Sequence, residues 1–267
     1  MMSKTQERII PENFDSYEAY LLYLRHLFAY VFAKNVIDKN SFVLDIGTGE
    51  GYGTKLLSKN IKKIVGIDVD KNTIKHASNK YASENCTFKL YKGRRIPYKE
   101  NTFDAIVSFQ VIEHIKDDMN YLFEVRRVLK KDGIFIFTTP NRLYRLKPNQ
   151  KPLNKFHIRE YCPKSLNNLL ERVFSKIEMK GVIGNKEINN IEHRRIRNQN
   201  LINKIPFFLR ENTPHALKNH IFKIVIFFLN FNKSTKEKHF VNKHTVNDYN
   251  LTKESDMGLD LLVVCRK

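Results

Sequence analysis

The sequence is poor in cysteine, and its few cysteines form no recognisable set. Cys86, Cys162 and Cys265 are the only three in 267 residues, and none of them belongs to a C-x-x-C pair. This spacing argues against a zinc site and against a disulfide framework, and it is typical of a reducing compartment. The sequence therefore predicts no bound metal and a cytoplasmic location.

Long hydrophobic segments are also absent. The longest apolar stretch, 221–229, is interrupted by Lys223 and is much shorter than the roughly 20 residues that span a bilayer. The segment from Ser3 to Glu12 is polar and charged, so we expect no secretory signal peptide. Hydrophobic residues still make up 42% of the chain, which is enough for one sizeable α/β domain with an insertion.

Acidic residues are scarce, and the imbalance is concentrated in one part of the chain. The 47 lysines and arginines outnumber the 28 acidic residues, giving a net charge of +19. Residues 141–248 hold 22 basic and 8 acidic residues, a net +14. One interpretation is a solvated basic surface. The alternatives are that this basic segment binds an anionic substrate, the anionic face of the inner membrane, or RNA.

The most informative segment is VLDIGTGEGYGT at 43–54. Val43, Leu44 and Ile46 are typical of a buried parallel strand. Three glycines follow at alternate positions, 47, 49 and 51, so the chain can turn sharply and a ligand can approach its backbone. The pattern then becomes helical, which directs N–H groups back toward the turn.

A carboxylate after the next strand strengthens this interpretation. Residues 64–67 are expected to form the second strand, and Asp68 follows it about 20 residues after the glycines. A carboxylate in that position receives the two hydroxyls of a ribose in nucleotide-binding sheets. Together the two segments predict a site for a nucleoside cofactor at the carboxyl edge of a parallel sheet.

With these motifs, the chain resembles class I S-adenosylmethionine-dependent methyltransferases, within them the small-molecule and glycan methyltransferases of bacteria and archaea. The matching segments are VLDIGTGEGYG, GIDVD (66–70), IPYKENTFDAIVSFQVIEHI (96–115), EVRRVLKKDGIFIFTTPN (124–141) and FHIREYCPKSLNNLL (156–170). The resemblance implies S-adenosyl-L-methionine as cofactor. It assigns cofactor binding to Asp45, Gly47, Thr48, Gly49, Gly51, Asp68 and Gln110. One departure is Lys92-Gly93-Arg94-Arg95, where the family often has an acidic residue that contacts adenine.

The resemblance also implies the architecture. We expect an α/β, Rossmann-like, doubly wound sheet of seven strands in which the last strand is antiparallel. The expected divisions are an N-terminal helical lid (1–40), a cofactor-binding core (41–182), a basic helical insertion (183–257) and a closing strand (258–267). Within the insertion, 206–210 and 221–231 are predicted to form short amphipathic helices. An ordinary packing helix is the alternative to a lid.

Candidate catalytic residues lie at two places in the second half of the sheet. Gln110 to His114 follow the strand at 103–109 and should face the ligands, although Glu113 and His114 are also typical of the start of a helix. His157, in a motif that the family shares, is the first candidate for a general base and His114 the second. A structural role is the alternative for both. Arg159 is a candidate for binding an anionic group of the acceptor.

The sequence thus predicts a methyltransferase that O-methylates a small molecule, a glycan or a lipid-linked glycan. An RNA methyltransferase is the alternative enzyme, although the chain lacks an N/D-P-P-Y-type acceptor motif. A non-catalytic cofactor-binding protein or a membrane-surface adaptor is the alternative outside enzymes. Peripheral association with an anionic membrane is predicted from the basic insertion.

Overall fold

The computed structural model describes Pro11, Phe14, residues 16–202 and residues 243–267. The predicted amphipathic segments 206–210 and 221–231 lie outside the described residues. Helices and strands alternate along most of the chain, as expected for a parallel sheet that is connected by helical crossovers.

Several of the helices begin at a capping side chain. Ser16 caps α1 (Tyr17–Val36) by accepting a hydrogen bond from the Ala19 N–H, and Asp70 and Asp117 cap α3 (Lys71–Tyr81) and α4 (Asp118–Val128) in the same manner. The remaining helices are α2 (Tyr52–Ser58), α5 (Arg142–Arg145), α6 (Pro163–Leu170) and α7 (Lys186–Ile202).

The strands form one mixed sheet. They are β1 (Phe42–Ile46), β2 (Lys63–Asp68), β3 (Cys86–Leu90), β4 (Phe103–Phe109), β5 (Leu129–Pro140), β6 (Lys176–Gly184), β7 (Tyr249–Thr252) and β8 (Asp260–Arg266). Their order is β3-β2-β1-β4-β5-β8-β6-β7. The first five pair in parallel, while β8 is antiparallel to both β5 and β6. The predicted Rossmann-like fold with an antiparallel closing strand is confirmed.

The prediction of seven strands is wrong by one. Residues Tyr249–Thr252 form an additional edge strand that pairs antiparallel with β6. This strand lies inside the segment 183–257, which was predicted to be a helical insertion. Among its described residues, the helical parts are α7 and two short 3-10 helices, Val246–Asp248 and Ser255–Met257. The sequence YNLT alternates apolar and polar residues over only four positions, which is too short to identify a strand, and its pairing depends on the adjacent β6 edge.

Helix α1 is fixed to the sheet by a buried ion pair. The Arg25 guanidinium lies 2.9 Å from Asp260 Oδ2 on β8 and 3.7 Å from Glu192 Oε1 on α7. All three side chains are almost completely buried. Because a buried charge is costly unless it is paired, these contacts hold α1 against the carboxyl edge of the sheet. Its side chains His26 and Tyr30 therefore line the cavity described next.

Candidate functional site

The order of the sheet reverses between β1 and β4, and a cavity of about 590 Å³ opens at their carboxyl ends. This is the place where open α/β sheets bind their ligands, and the volume is typical of small-molecule sites. The cavity wall includes seven of the predicted site residues. These are Gly47, Thr48, Gly49, Asp68, Gln110, His114 and His157.

The glycine loop adopts the backbone conformation that the sequence predicted. Gly47, Gly49 and Gly51 have φ angles of 77°, 53° and 86°, in the region that L side chains rarely adopt. A Cβ atom at Gly49 would meet nothing within 4 Å, so its backbone faces open space. A Cβ at Gly51 would instead lie 2.8 Å from Ala77 Cβ. Gly51 is therefore needed for close packing against α3 and not for ligand access.

Asp68 joins the loop to the end of β2. Its Oδ2 atom accepts a hydrogen bond from the Gly49 N–H at 3.1 Å, and its Oδ1 accepts one from the Asp70 N–H at 3.0 Å. Burial raises the pKa of Asp68, and these backbone N–H donors oppose that rise. The carboxylate is thus held in place at the cavity wall, where it can accept hydroxyl donors from a ligand.

Asp45 lies beneath the loop and not on the cavity wall. It is completely buried, and its Oδ2 accepts hydrogen bonds from Tyr30 Oη at 3.1 Å and Thr54 Oγ1 at 2.6 Å. Burial raises its pKa to about 6, although those two hydrogen bonds oppose the rise. The carboxyl therefore connects β1 with α1 and α2 and supports the glycine loop from the side opposite the cavity. Its predicted contact with the cofactor can only be indirect.

Gln110 marks the end of β4 with an unusual backbone. Its φ of 57° lies in the left-handed region, which is uncommon for residues other than glycine and is concentrated at functional sites. The Gln110 N–H donates to the Thr138 carbonyl at 3.0 Å, and its Nε2 donates to Thr138 Oγ1 at 3.2 Å. These bonds to β5 hold the strained residue at the cavity wall.

Glu113 and His114 lie in a 3-10 helix, Ile112–His114, that also lines the cavity. The two residues therefore belong to a short helix and also line the cavity, so the helical position that was the alternative prediction does not exclude a position on the cavity wall. Glu113 is completely buried, and its Oε2 accepts a hydrogen bond from Thr139 Oγ1 at 3.0 Å. Burial raises the pKa of Glu113 well above its usual range. Its Oε1 has no hydrogen-bond partner among the described residues.

The structure brings His157 against His114 although 42 residues separate them in the chain. Their rings pack edge to face with centroids 4.8 Å apart. His114 Nδ1 lies 3.0 Å from the Phe156 carbonyl oxygen, and His157 Nδ1 lies 2.8 Å from Glu160 Oε1. The backbone amide of Ile158 donates to the Glu113 carbonyl at 2.9 Å, which fixes the two segments together.

Arg159, the basic residue that was predicted to bind the acceptor, is not on the cavity wall. Arg159 donates to Asp118 Oδ2 at 2.6 Å and to two main-chain carbonyls, so it stabilises the start of α4. Arg145, Lys155 and Arg195 line the cavity instead. The net charge of residues 141–248 indicated a basic surface there, but it could not indicate which side chains face inward.

Sequence reasoning also missed several other wall residues. They include Glu50, Tyr52, Val69, Asp70, Thr73, Phe109 and Phe156. Val69 to Thr73 follow Asp68 directly, so their proximity could have been inferred from the strand end. An N-terminal helix was predicted within 1–40, but the hydrogen bond of its Tyr30 to Asp45 beneath the glycine loop was not. None of the described helices has the length and apolar character to cross a membrane.

Comparison with known proteins agrees with this geometry. Residues 44–137 match a family described as a methyltransferase domain. A protein of Mycolicibacterium smegmatis named as a probable S-adenosylmethionine-dependent methyltransferase is 35% identical over 136 residues, which cover 51% of this chain and 52% of that protein. The chain spans about half the length of the curated relatives that it matches in this group.

Two further comparisons separate fold from activity. A Thermotoga maritima structure described as a methyltransferase and possible histamine N-methyltransferase matches 94% of both chains with a TM-score of 0.58, but at 16% identity it shows the fold alone. The human mitochondrial arginine-hydroxylase NDUFAF5 is 35% identical over 95 residues, which cover 35% of this chain and 27% of that protein. The domain is therefore similar to proteins that are named for different reactions.

Proposed function

The chain carries, over residues 44–137, a domain of the class I S-adenosylmethionine-dependent methyltransferase family, and on that premise we propose that the protein transfers the methyl group of S-adenosylmethionine to a hydroxyl of an anionic small molecule or glycan. The observation that carries this proposal is the single cavity that joins the Gly47–Gly49 loop and Asp68 to a basic, histidine-containing end.

The cofactor would occupy the β1–β2 half of the cavity. The exposed backbone at Gly49 allows the close approach of the amino-acid part of the cofactor, and the Asp68 carboxylate accepts hydrogen bonds from the two ribose hydroxyls. No residue of 92–95 is on the wall, so adenine recognition falls to Val69, Asp70 and Thr73. These side chains follow Asp68 and line the cavity beside it.

Methyl transfer from a sulfonium depends on alignment of the two reactants and on exclusion of water more than on acid–base catalysis. An acceptor oxygen attacks the methyl carbon in line with the sulfur, the C–S bond breaks, and its electron pair neutralises the positive charge on sulfur. Holding both reactants in a closed cavity lowers the barrier by alignment and by exclusion of water. Gln110, fixed by two bonds to Thr138, lies between the two halves and can orient either reactant.

The acceptor half supports an anionic substrate. Arg145, Lys155 and Arg195 line the cavity there. Arg145 is paired with Glu160 and Arg195 with Glu192, and the remaining donors of their guanidinium groups can bind a carboxylate or phosphate group. His157 and His114 lie at the same end. If one of them acts as the general base, its Nε2 takes the proton of the substrate hydroxyl, because its Nδ1 already contacts a carbonyl or carboxylate oxygen. That catalytic role stays a prediction.

Calorimetry with S-adenosylmethionine and S-adenosylhomocysteine tests the cofactor half. Replacement of Asp68 by alanine should weaken both ligands by about 10- to 100-fold, since the loss of a hydrogen bond to a charged group costs about 1.5–3 kcal/mol. Asp256→Ala is the matched control, because Asp256 is an exposed aspartate outside the cavity wall. Equal binding by both variants, or no binding by the unchanged protein, would refute the assignment.

Substrate charge and membrane association need separate tests. Arg145→Gln should raise KM for anionic hydroxyl acceptors more than for neutral ones, and an equal effect on both would exclude the anionic acceptor.

If the acceptor is RNA instead, the protein should bind RNA with an affinity that falls steeply as the salt concentration rises. The membrane prediction depends largely on 206–231, which lie outside the described residues. Flotation with anionic and neutral vesicles tests it, and failure to bind either would remove it.

A further inference from the structure

Three metal-binding side chains converge at the acceptor end of the cavity. Glu113, His114 and His157 each offer one ligand atom, and these atoms lie within 4.8 Å of one another. All three residues line the cavity that also contains Gly49 and Asp68. Two imidazoles and one carboxylate that leave other positions open form a common donor set for divalent transition metals.

The hydrogen bonds of the two histidines select the tautomer that a metal requires. A carbonyl oxygen only accepts, so His114 must donate its Nδ1–H to Phe156, and His157 correspondingly donates Nδ1–H to the Glu160 carboxylate. In the neutral form of each ring, Nε2 would then carry the lone pair. A histidine whose Nδ1–H is held by a carbonyl or carboxylate and whose Nε2 coordinates the metal is characteristic of metal sites.

The charges around the cluster are arranged to accept a cation. Glu160 lies between His157 and Arg145, whose Nε is 3.3 Å from Glu160 Oε2, so the carboxylate offsets the guanidinium charge beside the site. Glu113 contributes a buried oxygen, Oε1, that has no hydrogen-bond partner among the described residues.

From this arrangement we propose that Glu113, His114 and His157 form a binding site for one divalent transition-metal ion. In a loaded site the ligand atoms would be about 3 to 4 Å apart, because metal–ligand bonds are about 2.0–2.2 Å long. The observed spacing is slightly wider, so modest side-chain rotation would close the site. The scattered cysteines argue against a cysteine-based zinc site, but they do not bear on a site made of nitrogen and oxygen ligands, so the prediction of no metal was too broad.

The role of the metal rests on the proposed function. An acceptor hydroxyl that coordinates the ion loses its proton to solvent more readily, because a bound cation stabilises the alkoxide or phenolate. The oxygen then attacks the methyl carbon while the C–S electron pair returns to sulfur. In this arrangement His114 and His157 are ligands that position the acceptor, and neither of them needs to act as the general base.

Binding of Co²⁺ to the untagged, metal-stripped full-length protein tests the site without any cofactor or acceptor. We expect one equivalent to bind with visible ligand-field absorption, and Mn²⁺ and Zn²⁺ to compete. His114→Ala and His157→Ala should each weaken Co²⁺ binding more than about 100-fold, since loss of even an outer partner of a ligand costs about 10- to 100-fold. Glu113→Gln, which keeps the shape of the side chain, should do the same.

His193→Ala is the matched control, because His193 is exposed on α7 and lies outside the cavity wall. Its Co²⁺ affinity should equal that of the unchanged protein. Circular dichroism identifies any variant that fails to fold, and Glu113→Gln then decides the question. Absence of Co²⁺ binding, or equal binding by Glu113→Gln and the unchanged protein, would overturn the site. Metal binding without S-adenosylmethionine binding would leave the site standing and remove the proposed function.

Discussion

The buried carboxyl of Asp45 makes the stability of the protein depend on pH. Its pKa is about 6 in the folded protein because burial penalises the charged form, whereas the unfolded value is about 3.9. As the pH rises from 4 to 6, the unfolded chain ionises this group first, so the folded state loses stability. The contribution is fully present below the unfolded pKa and is lost above the folded one.

Asp45→Asn removes this titration and leaves a group of the same shape. The amide oxygen can still accept hydrogen bonds from Tyr30 and Thr54, while the amide N–H₂ replaces Oδ1, which has no partner among the described residues. Burying that N–H₂ adds a cost that is the same at every pH. The free energy of unfolding of the variant relative to the unchanged protein should therefore increase by roughly 2 kcal/mol between pH 4.5 and 7.5.

Thermal unfolding at a series of pH values measures this difference. For a chain of this size, roughly 2 kcal/mol corresponds to a relative change in Tm of roughly 4–8 °C. Asp104→Asn is a useful comparison, because the partly exposed Asp104 is paired with Lys130 and has a lowered pKa. Its effect should have the opposite pH dependence. A difference between Asp45→Asn and the unchanged protein that is constant with pH would refute the reasoning.

Two further predictions concern the contacts of α1. Gly53→Ala would place a Cβ 2.1 Å from ring atoms of Tyr30, so urea unfolding should show a loss of about 3 kcal/mol or more, and a loss below about 1 kcal/mol would contradict the observed packing. Arg25→Met leaves Asp260 buried without its 2.9 Å partner, while Glu192 keeps its ion pair with Arg195, and should cost about 3–5 kcal/mol by the same assay; an unchanged stability would mean that α1 is a detachable lid.

The parts of the fold that could be predicted from sequence are those with local signals. Val43–Ile46 and the alternate glycines were enough to predict the first strand and its turn. The edge strand Tyr249–Thr252 was too short to give such a signal, because an alternation of four residues is not distinctive and the strand forms by pairing with Gly181–Gly184. Its existence is a consequence of tertiary pairing.

The same limit applied to the site. Asp68 was predictable, because a strand end and its distance from the glycines define its position. The convergence of Glu113 and His114 with His157 depends on the turn at 154–161 folding back over the 3-10 helix, which no periodicity reveals. Asp45 was correctly placed inside the first strand, but its partners could not be predicted, because only the packing of Tyr30 and Thr54 shows that its side chain points into the core.

The central claim is that the glycine loop and Asp68 hold the cofactor at the carboxyl edge of β1 and β2. A crystal structure of the complex with S-adenosylhomocysteine tests it most directly. We expect both ribose hydroxyls within hydrogen-bonding distance of the Asp68 carboxylate, the amino-acid part along Gly47–Gly49, and the sulfur directed toward Gln110 and His114. A ligand bound elsewhere, or bound there with its ribose away from Asp68, would contradict the account.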